Sequence, residues 1–166
     1  MSVLNPNPQT TYPAHHVMTR TAQVQLQPLV NTSIYTANYC VGGKLVFANI
    51  AGPQQSGVLQ SVTVSAKGTQ TTGYKLYIFT GNPGFTTITD RATPTLNANN
   101  DLQYLMDVIT LGSADSTLTS TINVADNIGR AFVSQDQNLY GILVTNATPT
   151  YSTTRDVIIT MTVLQD

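Results

Sequence analysis

At 166 residues and 17.8 kDa, with eight acidic against seven basic residues, the chain has the length of one domain and enough chain to bury a single core. Only 9% of it is charged and the net charge is −1, so it has no field that could gather phosphates along a groove, and nucleic acid is not expected as a partner. All eight acids are aspartate, glutamate is absent and lysine occurs only at Lys44, Lys67 and Lys75, which removes favoured helix formers and leaves the Thr, Val, Ile, Tyr, Asn and Gly of a pleated, turn-rich, all-β protein.

The first nineteen residues carry Pro6, Pro8 and Pro13 among Asn, Gln and Thr, with no period in their apolar positions. Proline fixes φ near the polyproline value and disfavours helix in the residue before it, so residues 1–19 read as an extended arm. From Arg20 the pattern changes to short β-type runs between turn residues, giving a second unit over 20–166. "AQVQLQPL" alternates Val24 and Leu26 with glutamines, the period of a strand with one buried face. "GGKLVFANI" is a second strand, entered through Gly42 and Gly43. "GVLQSVTVSAKG" is a third, with Val58, Val62, Val64 and Ala66 expected on one side and Ser61, Thr63 and Ser65 on the other.

In "YKLYIF" Tyr74, Leu76 and Ile78 share one face and Lys75, Tyr77 and Phe79 the other, so the strand is expected to lie centrally or under a cover. "TGNPGF" reads as a turn, with Pro83 setting φ and Gly81 or Gly84 free to take positive φ, followed by a threonine run along an edge or a long loop. "LNANNDLQYLMDVITLG" reads as an amide-rich turn and then a strand from about Met106. "LTSTINVAD", "IGRAFVSQ", "QNLYGILVTN" and "RDVIITMTVLQD" supply four more strands. The last has to be locked between neighbours, because a loose apolar strand templates aggregation. Eight or nine strands without a strong helix predict an antiparallel sandwich or barrel in Greek-key order, with a jelly-roll-like β-sandwich carrying an extended N-terminal arm as the first choice.

The residues for chemistry are sparse. His15 and His16 are adjacent in the arm, where successive side chains of extended backbone point opposite ways, so they do not converge on one ion or proton. Cys40 stands alone at a strand edge with no histidine near it in sequence, the pattern of a small buried hydrophobe. The aspartates never cluster at ligand spacing, and "NANND" lacks the glycine and closing acid of a calcium loop. Trp is absent, and the eight tyrosines are expected to cap a core with their hydroxyls toward water, although carbohydrate binding through them stays open. No enzyme, cofactor or metal is expected. The start "MSVLNPNPQTTYPAHHV" has neither segment of a secretory signal, and no run is apolar enough to span a bilayer, so synthesis in a reducing cytosol and no membrane partner are expected. A surface of neutral Thr, Ser, Asn and Gln can lie against another protein without stranding charges, which favours an interface function.

Two stretches, "LYIFTGNPGFTTITD" (Leu76 to Asp90) and "LYGILVTNATPTYSTTRDVIITMTVLQD" (Leu139 to Asp166), resemble small virion proteins encoded beside the capsid genes of tailed bacteriophages. "KLVFANI" and "GVLQSVTVSAKG" fit the same pattern, which runs from about Val41 to the end and leaves out the first forty residues. The resemblance implies a head decoration or cement protein: a β-sandwich on the outer surface of the virion head that bridges major capsid protein subunits, made in the host cytoplasm and forming a homo-oligomer, dimer or trimer. It brings no catalytic residue. The residues expected at capsid or oligomer contacts are Pro6, Pro8, Tyr12, Pro13, His15 and His16 in the arm, and Asn82, Pro83 and Phe85 at the turn. The competing reading is a receptor- or glycan-binding β-sandwich domain of a tail fibre or spike.

Overall fold

A computed structural model of the chain describes residues 20–68, 72–84, 88–112 and 119–166. The expected arm, 1–19, lies outside them. Nine strands occur among the described residues: β1 (Arg20–Leu26), β2 (Cys40–Phe47), β3 (Ser56–Lys67), β4 (Tyr74–Phe79), β5 (Leu105–Leu111), β6 (Ser120–Ala125), β7 (Arg130–Val133), β8 (Leu139–Thr145) and β9 (Val157–Gln165). One turn of 3-10 helix, Leu102–Tyr104, precedes β5. The amide-rich turn followed by a strand is therefore observed, with the strand one residue earlier than expected.

All pairings are antiparallel. One sheet has the order β1-β9-β3-β6, with the short β7 also on β3, and the other has the order β2-β8-β4-β5. Successive strands cross from sheet to sheet, pausing for the pairs β4–β5 and β6–β7. A five-stranded and a four-stranded sheet with these strand orders form the two Greek keys of a jelly roll, with β7 as an added short strand. The terminal strand β9 sits between β1 and β3, so both of its edges are hydrogen-bonded.

The core lies between the sheets. Val157, Ile159, Met161 and Val163 of β9 and Val62, Val64 and Ala66 of β3 face Phe47, Tyr74, Leu76, Ile78, Leu139 and Leu143. Gly141 lies on the inner face of β8, where an added Cβ would stand 3.1 Å from the Phe47 ring and 3.2 Å from Leu76 Cδ1, so glycine here lets those side chains approach.

Two irregularities depart from the simple period of two. In β3 the register against β9 shifts between Leu59 and Ser61. The inserted residue reverses the phase, so Leu59 is buried while Val58, expected on the core side, is only half-buried and points outward. In β2 the register shifts between Cys40 and Lys44. Gly42 and Gly43 lie inside the strand with φ of +77° and +72°, rather than at its entrance.

The strand β8 is buried on both faces. Its second face is covered by the later part of the β4–β5 connection, 88–104, which packs Ile88, Leu96 and Tyr104 over Cys40, Phe79, Tyr140, Ile142 and Val144. The two-sided apolar strand β4 is thus both internal, between β8 and β5, and covered.

Candidate contact surface

The chain between β1 and β2, residues 27–39, gathers the loops at one end of the sandwich. Gln27 Nε2 donates to Arg155 O at 2.8 Å. Val30 N donates to Thr154 O at 3.0 Å and Tyr35 N to Pro149 O at 2.9 Å, tying this segment to the β8–β9 connection. The third participant is Asp90. Its Oδ1 accepts from the Tyr35 hydroxyl and from Gly42 N, both at 2.7 Å. Its Oδ2 accepts from Asn31 N at 2.9 Å. Asn31 N also donates to the Tyr35 hydroxyl oxygen at 2.8 Å. Arg91 continues the join, with its backbone N donating to Cys40 O at 2.9 Å and its Nε to Ile34 O at 3.2 Å. The Asp90 carboxylate joins the β1–β2 connection, the bulge of β2 and the end of the β4–β5 connection, and separate backbone bonds add the β8–β9 connection.

That frame fixes two aliphatic side chains in solvent. Leu29 is 63% exposed and Ile34 59%, while their neighbours Val30 and Tyr35 are buried. Large apolar side chains on a hydrogen-bonded loop lose little further freedom when a partner covers them. The sequence signal for them was present, as apolar residues inside a segment rich in turn formers, but not which of them would face outward.

Beneath the loops lie three buried tyrosines. The rings of Tyr35 and Tyr151 meet edge to face with centroids 5.2 Å apart. The hydroxyls of Tyr74 and Tyr151 share a hydrogen bond at 3.1 Å. Contrary to the expectation that tyrosine hydroxyls point to water, these three find partners inside, as a buried hydroxyl requires. Burial, and then the bond to Asp90, raises the pKa of Tyr35. Burial, and then the neighbouring Tyr74, raises that of Tyr151.

Of the residues expected at contacts, Pro6, Pro8, Tyr12, Pro13, His15, His16 and Phe85 lie outside the described residues. Asn82 is exposed and accepts from Lys44 Nζ at 2.9 Å, whereas Pro83 is buried. Neither Gly81 nor Gly84 has positive φ. An added Cβ at Gly81 would come within 2.6 Å of Gln135 Oε1 and 3.0 Å of Tyr104 Cδ1, so those side chains would have to shift. The turn is anchored at Thr80, whose N donates to Tyr104 O and whose O accepts from Gln135 N, each at 2.8 Å.

Cys40 is fully buried, and burial pushes its thiol up to about 12. In "NANND" the Asn97 Oδ1 accepts from Asn99 N at 3.2 Å and Asn100 N at 3.1 Å, an amide turn as the sequence suggested. Among the described residues no group of three or more His, Cys, Asp or Glu is gathered for a metal. A cleft of about 200 Å³ between sheet and loop is lined by Asn38, Tyr77, Thr93, Pro94, Leu96, Ile142 and Val144. It is smaller than most ligand pockets and has no carboxylate, imidazole or thiol in its lining.

No family model matches the chain, and no curated protein matches it either. Among solved structures it is similar to a chain of Desmodium yellow mottle tymovirus, at 14% identity over 99% of this chain and 92% of that one, with a TM-score of 0.28. It is also similar to a chain of the native Kashmir bee virus virion at neutral pH, at 11% identity over 98% of this chain and 80% of that one, with a TM-score of 0.25.

Proposed function

We propose that this chain is a non-catalytic structural protein of a virion, a head decoration or cement protein that binds the outside of a phage head and bridges and stabilises major capsid protein subunits. The reading rests on the motif resemblance over Leu76 to Asp90 and Leu139 to Asp166, and on the character of the fold. The observation that carries the contact role is the pair Leu29 and Ile34, held exposed at one end of a jelly roll by the Asp90 hydrogen bonds. Exposed aliphatic anchors on a fixed frame are the form of a hot spot, and repeated weak contacts along a shell add through avidity.

The test is attachment of the purified chain to undecorated heads, followed by sedimentation. Binding at micromolar concentration is expected, and replacing Leu29 and Ile34 together by Asp should weaken it at least about tenfold, the loss of one hot-spot residue's energy. Deleting residues 1–19 should weaken attachment and leave the melting of the β fold unchanged. No attachment by the intact chain, or attachment indifferent to Leu29 and Ile34, overturns the reading. Retention on a glycan panel with no attachment to heads would transfer it to a fibre or spike domain.

A further inference from the structure

The two outer faces of the sandwich are unlike. That of β2-β8-β4-β5 is covered by the chain's own β4–β5 connection. Among the described residues nothing buries the outer face of β1-β9-β3-β6. The register lays out its side chains in rows. Gln25, Thr160, Thr63 and Val124 stand side by side across the four strands. The next row is Ile158, Ser65 and Ile122. On the other side of the centre come Gln23, Thr162 and Ser61, with Gln23 Nε2 3.5 Å from Thr162 Oγ1. None of these side chains is buried. Ile122 and Val124 rank with the large apolar side chains left exposed.

No residue in these rows is charged. The charges of the sheet sit at strand termini: Arg20 opens β1, Lys67 closes β3, and Asp126 and Asp166 follow β6 and β9, while Arg130, which opens β7, turns away from this face toward Asp107 of β5. An uncharged centre inside a charged rim is the anatomy of a protein interface.

We infer that this face is where two copies of the chain pack against each other about a two-fold axis. A face of Thr, Ser, Gln, Ile and Val is complementary to itself: it meets its own copy with no like-charge repulsion and no ion to desolvate. A net charge of −1 adds almost no repulsion at longer range. Four strands spaced by about 4.8 Å, each about seven residues long at about 3.3 Å per residue, give roughly 450 Å² of flat area per copy. Side-chain relief raises the total for two copies to the order of 1,000 Å², the lower bound for a specific interface. An area at that lower bound fits a weak dimer, strengthened when both copies are held on a common surface.

Sedimentation velocity of the full chain alone, over a concentration series, tests this without any shell present, so its result is independent of whether the protein attaches to heads. A monomer–dimer equilibrium in the micromolar range is expected. Thr160→Arg, at the centre of the face, should shift the dissociation constant by at least about tenfold, while Gln103→Arg, on the loop side, should leave it unchanged. Gln25→Arg on the exposed edge strand serves if Thr160→Arg does not fold. Under oxidation Thr160→Cys should give a disulfide-linked dimer, since Cys40 is buried and central residues meet near the axis. A chain that stays monomeric to millimolar concentration overturns the inference, as does a dimer indifferent to the arginine variants, which would mean pairing through strand edges. So does a monomer that dimerises only after removal of residues 1–19, since those residues would then be the cover.

Discussion

The Tyr35 hydroxyl lies 2.7 Å from one carboxylate oxygen of Asp90 and 2.8 Å from the other, across 55 residues of chain. Around this pair the β1–β2 connection, the bulge of β2 and the end of the β4–β5 cover become one body. Asp90→Ala leaves Asn31 N, Gly42 N and the Tyr35 hydroxyl without their charged acceptor, and should destabilise the fold by about 3 kcal/mol. Asp90→Asn keeps one acceptor oxygen and should lose about half as much, and Tyr35→Phe about 1 kcal/mol. Urea denaturation of the three variants measures this order. If the frame positions Leu29 and Ile34, Asp90→Ala should also weaken attachment to heads under conditions where the variant is still folded.

Gly42 bears three demands at once. Its φ is +77°, its N–H feeds Asp90, and a Cβ would collide with the Pro28 ring. Gly42→Ala should therefore cost more than about 2 kcal/mol, through strain and through displacement of Pro28. Gly43 has a similar φ of +72°, but the nearest atom to its added Cβ is Ile88 O at 3.9 Å. Gly43→Ala should cost about 1 kcal/mol, from backbone strain alone. Thermal melting of the two side by side separates collision from conformation.

The alkaline limb of stability should be steep. The Cys40 thiol is pushed up to about 12 by burial, against about 8.5 in an unfolded chain. A group with a raised folded pKa gives stability that is whole below the unfolded value and is lost as pH climbs toward the folded one. The buried tyrosines Tyr35, Tyr74 and Tyr151 are raised as well, each first by burial, and add to the loss from about pH 10 upward. Urea midpoints should fall between about pH 8.5 and pH 11, and Cys40→Ala should remove the earliest part of that fall. A thiol reagent at neutral pH should label Cys40 only in the unfolded protein.

Much of this architecture could be read from residues alone. The alternation in "VIITMTVL" and the two-sided "YKLYIF" announced a locked strand and a covered strand, because burial on one face or on both imposes its period directly on the sequence. The long-range carboxylate join was not legible. Asp90 closes a threonine run, and nothing local says that its partners lie near residues 31, 35 and 42. Nor could the sequence show that Tyr35, Tyr74 and Tyr151 turn inward, since a tyrosine capping a core and one buried in it have the same pattern of neighbours. Such features arise from tertiary packing, which composition and period do not encode.

The acid limb depends on a different pair. Asp156 is buried, which by itself raises its pKa, but the Thr153 hydroxyl and the backbone N–H groups of Thr153 and Ser152, together with Lys67, outweigh burial and hold it below the ordinary carboxylate value. Asp136 behaves likewise, with burial opposed first by the Tyr140 hydroxyl 2.6 Å away and then by Asn138. A lowered folded pKa gives stability that is present above the unfolded value of about 3.9 and is lost as pH falls through the folded one. Asp156→Asn should cost about 1 to 2 kcal/mol at neutral pH by weakening its charge-assisted bonds, and should flatten the decline below about pH 4. An acid limb as steep as in the parent chain would show that other carboxylates control it.

The bulge in β3 gives the sharpest contrast between adjacent residues. A strict period of two from Val62 and Val64 would carry Val58 inward and Leu59 outward, yet the register shift between Leu59 and Ser61 reverses them. Leu59 is fully buried in the core, while Val58 stands half-buried beside Leu164 on the outer face. Leu59→Ala should cost about 2 to 5 kcal/mol through lost contacts and a cavity. Val58→Ala should cost no more than about 1 kcal/mol, because the site is open and little volume is vacated. Urea unfolding at a concentration where the chain is monomeric keeps any effect on self-association out of the comparison. Equal losses, or the larger loss at Val58, would mean that β3 runs without its extra residue, with every side chain N-terminal to it on the opposite face.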